Sequence, residues 1–193
     1  MPLPEGPHLD RLREALAIEG RGQAALLAGD DGAAHPLFAE AARLYRASWE
    51  AAPPGSYGRL IGMLKAAVIA GQPEAAADYA LDQVPEDAGS PPAAYARAIA
   101  SLVAGDDAVA AAQTGAMRTG SPAFARAADA VAALAARDPD AHARAVGAII
   151  EDFEGRDEHL TGVAIADTAV MFDRLAASRG MAPASVASPL MPG

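Results

Sequence analysis

The chain of 193 residues has no cysteine, which excludes disulfides, zinc–thiolate sites and thiol nucleophiles. Aromatic residues amount to only 5%, with a single tryptophan, Trp49, and one lysine stands against 14 arginines. That arginine bias is consistent with genome base composition. No apolar run approaches the ~20 residues that span a bilayer. The opening "MPLPEGPHLDRLRE" lacks the basic and apolar stretches of a secretory signal. A cytoplasmic protein without a membrane partner is expected. Positive charge is also short, with a formal net charge of −10. On either side of Pro92 there are 7 bases against 13 acids and 8 against 12, so no basic lobe exists. A surface of this sign repels phosphate backbones, which argues against a nucleic-acid partner.

Alanine fills the space these absences leave, at 53 residues. It loses no side-chain entropy in a helix and is the best helix former. Hydrophobic residues make up 52% and charged residues 21%, a balance that folds rather than stays disordered. Strand-like alternation is absent. The expectation is one all-α domain over residues 1–193, with about nine antiparallel helices.

Proline and glycine punctuate it. Ser90-Pro91, Ser121-Pro122 and Asp138-Pro139 each offer a polar N-cap before a proline suited to the first turn. Gln72-Pro73 does so more weakly. Gly29, Gly71, Gly105 and Gly120 fall where a left-handed residue would close the preceding helix. Helices are therefore expected near 8–28, 33–52, 57–70, 73–84, 91–104, 107–118, 122–136, 139–159 and 162–179. The segment "PEGP" at the front and residues 181–193 at the back are expected to be extended, the latter lying along a groove through Val186, Leu190 and Met191. Phe38, Ala41, Ala42, Tyr45 and Trp49 share one helical stripe, read as core.

One phrase recurs: "LLAGDDGAAHPLFAEA", "VIAGQPEAAADYA", "LVAGDDAVAAAQTGA" and "LAARDPDAHARAVGA". Each is an apolar helix end, a short turn and an alanine-rich helix. The turns at 29, 71, 105 and 138 are separated by 42, 34 and 33 residues. A two-helix unit cannot bury its apolar face alone, so such units stack. With Gly22 and Ala98 as small contact positions, and Gly29, Ala34, Phe38 and Ala41 at matching offsets, residues 8–159 resemble the tetratricopeptide repeat family as four degenerate helix pairs. The resemblance implies a right-handed superhelix with a concave groove, commonly for peptides. Residues 162–179 would then cap the array.

Chemistry is sparse. There is no Gly-x-Ser-x-Gly elbow, no phosphate-binding loop and no His-x-x-x-His pair. "GRGQAA" at residues 20–25 imitates a dinucleotide fingerprint without the preceding strand it needs. The densest polar stretch is "EDFEGRDEH", residues 151–159, with five carboxylates and a histidine. Continued on a helix, Glu151, Glu154 and Glu158 share a face, with Asp152 and His159 likewise seven apart, which brings carboxylates close enough to share a cation. The competing reading is a solvated helix end before a break at Thr161-Gly162. Asp167 lies in the apolar "GVAIADTAVMF", where a buried carboxylate needs donors. Thr168, Arg174 or the backbone of the tail could supply them. Tyr57 and Tyr95 are further candidates for a ligand-facing surface.

The segment "GVAIADTAVMFDRLAASRG" with its "SPLMPG" tail resembles the ends of some all-helical immunity proteins of bacterial polymorphic toxin systems, which implies a toxin partner. Three functions follow as expectations. The first is a non-enzymatic module binding a protein or peptide, without catalytic residues or cofactor. The second is an immunity-type inhibitor. The third is a small-molecule or metal-binding helical protein using the acidic stretch. Alanine-rich helix faces would also suit a homodimer.

Overall fold

The computed structural model describes residues 6–184 and 186–193. Among these, nine α-helices and no strands are present: α1 (Pro7–Leu27), α2 (Asp31–Glu50), α3 (Gly58–Ile69), α4 (Glu74–Gln83), α5 (Pro91–Ala104), α6 (Asp107–Met117), α7 (Pro122–Ala136), α8 (Pro139–Glu154) and α9 (Asp167–Ser178). Residues 4 and 5 of the expected extended front lie outside the described residues, and Pro7 already belongs to α1. None of the helices is long and apolar enough to cross a membrane.

The punctuation works in part as the sequence suggests. Gly29, Gly71 and Gly105 hold φ of 75–81°, and the chain leaves α1, α3 and α5 through them. Gly120 does not adopt that conformation. Arg137 takes it instead, at φ 53°, to end α7. The hydroxyl caps fail, since the side chain of neither Ser90 nor Ser121 accepts from a backbone amide. Carboxylates do the capping. Asp30, Asp106 and Asp138 accept from the amides of Ala33, Val109 and Ala141, each satisfying an otherwise orphaned donor.

Consecutive helices pack on one another, α3 and α7 both rest on α5, and α9 contacts α3, α7 and α8. The last helix thus reaches back to the third rather than closing only the end of the chain, as a terminal cap would. Phe38, Leu60, Leu64, Ile99, Leu134 and Phe172 are fully buried. Alanine lines the gaps between them, letting the backbones approach. At Gly22 a Cβ would lie 3.2 Å from the Phe38 ring, so the missing side chain lets α1 and α2 approach there. Phe38, Ala41 and Tyr45 are buried as their stripe suggests, while Trp49 is half-buried against Tyr57, ring centroids 5.3 Å apart.

The boundaries of α8 and α9 depart from expectation. α8 stops at Glu154, with Gly155 at its C-cap. α9 starts only at Asp167. Residues 155–166 therefore form an irregular connection, and the described tail residues pack onto the core through Met181, Val186, Leu190 and Met191. The Leu190 carbonyl accepts from the Ala166 amide at 2.9 Å, which anchors the tail at the start of α9.

Candidate functional site

α1 carries Glu19 and Gln23 one turn apart, a spacing that puts both on one face. α2 brings Tyr45, α3 brings Lys65, α9 brings Asp167 and the α8–α9 connection brings Thr161. These six side chains converge. Lys65 Nζ lies 2.5 Å from Asp167 Oδ2 and 3.2 Å from Glu19 Oε1. The Tyr45 hydroxyl donates to Glu19 Oε2 at 2.5 Å, and Gln23 Nε2 donates to Asp167 Oδ2 at 3.0 Å. Thr161 Oγ1 in turn donates to Gln23 Oε1. The Glu19 side chain is wholly buried, with Asp167 11% and Lys65 15% exposed.

Taking an ammonium out of water disfavours its charge, and burial alone would lower the Lys65 pKa. The Asp167 and Glu19 carboxylates, helped by the Tyr45 phenol, more than offset this and hold it well above the ordinary lysine value. Tyr45 is pushed up by burial and by the Glu19 charge, with Lys65 pulling the other way. Tyr95, also buried, is pushed up for the same first reason. The network carries two carboxylates against one ammonium.

Five of the six, all but Tyr45, line a cavity of about 170 Å³ together with Phe153, Arg156, His159, Leu160, Val163, Ile165 and Thr168. The connection forms its roof, pressed close to α1. A Cβ on Gly20 would lie 3.3 Å from the Thr161 carbonyl oxygen. Among the described residues, His159 Nδ1, enclosed in the lining, has no hydrogen-bond partner, and Glu19 Oε1 has only the Lys65 ammonium, at 3.2 Å. Phe153, Arg156, Leu160 and Thr168 also line an adjoining, more apolar cavity of about 430 Å³ that reaches Ile61, Tyr95, Phe124, Arg126, Ile149 and Asp152.

The residues singled out from sequence scatter across this picture. Asp167 is buried, but its donors are Lys65 and Gln23. Thr168 stands at a marginal 3.4 Å, and Arg174 turns to Asp31 instead. Glu151, Glu154 and Glu158 are exposed. They do not form one helical face, because the helix ends before Glu158. Glu154 accepts from Ser188 Oγ of the tail at 2.6 Å. His159 leaves the acidic stretch for the cavity wall, stacked on Phe153 at 6.2 Å. Tyr95 is 7% exposed, edge-on to Phe124 and stacked near Phe172, and it lines the apolar cavity. Tyr57 lies apart, against Trp49. No group of three or more His, Cys, Asp or Glu side chains placed to hold a metal ion forms among the described residues.

Glu19, Gln23, Lys65 and Thr161 went unmarked in the sequence. The available signal was Lys65 itself, the sole lysine, set inside the apolar run "GMLKAAVIA". No protein-family model, curated protein or solved structure matches the chain.

Proposed function

We propose that the protein binds a small polar molecule in the cavity between α1, α3 and the α8–α9 connection, without catalysing a reaction on it. The observation that carries this reading is the enclosed lining itself, where His159 Nδ1 has no hydrogen-bond partner among the described residues and Glu19 Oε1 has only the Lys65 ammonium, at 3.2 Å. A buried polar atom left unpaired costs about 1–3 kcal/mol, which a ligand with a matching group recovers. Lys65 argues against covalent chemistry: an amine nucleophile must shed its proton, and this one is held protonated by two carboxylates. The same ammonium opposes a metal cation at the floor.

A protein or peptide partner is the second reading, favoured by Leu160, a large apolar side chain 79% exposed at the mouth of both cavities. The test is native mass spectrometry of the purified protein, together with thermal shifts against panels of small amines, acids and polyols. A co-purifying small mass or a panel member that raises Tm supports the reading. Cavity occupancy by water alone, shown by water–protein NMR contacts with no shift from any panel, refutes it.

A further inference from the structure

We infer that the adjoining, more apolar cavity is a second binding site, which takes a small monocarboxylic acid with an apolar body and holds its carboxylate on Arg126 and Arg156. This site does not depend on the polar cavity proposed above. Its apolar wall comes from separate elements: Ile61 of α3, Tyr95 of α5, Phe124 of α7, Ile149 and Phe153 of α8, and Leu160 of the α8–α9 connection. At about 430 Å³ it falls within the ≈ 300–1,000 Å³ usual for small-molecule sites. Apolar side chains that face open space forgo dispersion contacts, which an apolar body restores. Leu160, 79% exposed, is the wall residue with most to gain from being covered.

The charge of the lining selects the other end of the ligand. Its charged residues are Arg126, Arg156 and Asp152. Asp152 accepts from Arg126 through Oδ1 and from Arg156 through Oδ2, the latter at 2.6 Å. Two guanidinium groups thus share one carboxylate, and one positive charge is left over. Each guanidinium has five N–H donors, so donors remain on both. The side chains are 27% and 37% exposed, within reach of an incoming anion. Arg156 lies flat over the Phe153 ring, 3.7 Å from its centroid, which sets its planar fork beside the apolar wall. A carboxylate matches such a fork in shape and in charge. An amine finds no carboxylate here that is not already shared by two arginines, and a neutral molecule leaves the surplus charge unmatched.

The test is calorimetric titration of the full chain with octanoate, beside hexanoate, octylammonium and octan-1-ol, with methyl NMR to locate the ligand. Octanoate is expected to bind about tenfold or more tighter than octanol or octylammonium, the worth of a charge-assisted hydrogen-bonded end. The chain's net charge of −10 favours the amine at long range, so a preference for the acid reports the local arginines. Hexanoate is expected to be weaker by roughly fourfold per methylene removed. The methyl signals of Ile61 and Ile149, which line this cavity and not the polar one, should shift, while those of Val163 and Ile165, which line the polar one and not this, should stay. Arg126→Gln is expected to bring octanoate toward octanol and leave octanol unchanged, with circular dichroism confirming the fold. If that variant does not fold, the ligand series on the unaltered protein still decides. Octanol or octylammonium binding as tightly as octanoate, shifts at Val163 and Ile165 alone, or no binding of octanoate each overturns the inference.

Discussion

Lys65 Nζ lies 2.5 Å from Asp167 Oδ2 across 102 positions of sequence, an ion pair that joins α9 to α3. Glu19 also contacts the ammonium, and neither carboxylate has another charged partner among the described residues. Lys65→Met therefore strands two buried negative charges. Breaking a buried pair by removing one partner costs about 3–5 kcal/mol, and a loss of that size is expected in urea unfolding. A loss under about 1 kcal/mol would show that the cluster is wetter than its geometry suggests.

Alkaline pH probes the same cluster. The Lys65 pKa is raised from 10.5, so its contribution to stability is fully present below the unfolded value and is lost as pH rises through the folded one. Tyr45, raised from 10.0 by burial and Glu19, acts in the same direction. The urea midpoint should fall steeply above about pH 10, and Lys65→Met should flatten that fall. An unchanged slope in the variant would remove Lys65 from the account.

Tyr45→Phe deletes the hydroxyl that donates to Glu19 and leaves a buried carboxylate oxygen without its donor. A cost of about 1–3 kcal/mol is expected, measurable as a lowered thermal midpoint. Glu158→Gln, on an exposed residue outside the helix, should by contrast stay within about 0.5 kcal/mol of the unaltered protein.

Two helical glycines give opposite expectations for the same substitution. At Gly62 a Cβ would lie 2.8 Å from the Tyr45 ring, so Gly62→Ala forces the aromatic, and its grip on Glu19, to move. Destabilisation of about 1–3 kcal/mol is expected. At Gly115 nothing lies within 4 Å, and Gly115→Ala should stabilise α6 by about 0.5–1 kcal/mol. Parallel denaturation curves read both signs.

The helices were legible because their signals are local. Prolines in first turns and glycines past last turns placed all nine, and only the end of α8 and the start of α9 moved by more than a few residues. There the five carboxylates drew the helix onward to residue 159, while Gly155, a stop signal in the same stretch, went unweighed. The site was illegible for the opposite reason. Glu19, Tyr45, Lys65, Thr161 and Asp167 come from five separate segments, and each alone reads as an ordinary residue of its element. Asp167 stands out because a carboxylate among apolar residues is costly, but no local spacing points to donors 102 and 144 positions away. The donors came from α1 and α3.

That separation has a temporal side. Glu19 and Lys65 emerge early in synthesis, while Asp167 follows 102 residues after Lys65. Until then the lysine faces one carboxylate in a half-built, solvated crevice, and contacts of such long sequence separation form slowly. Closing α9 over α3 dehydrates three charges in a single late event. A ribosome-stalled chain ending before residue 167 should therefore leave Lys65 open to amine-reactive labels that the finished fold turns away.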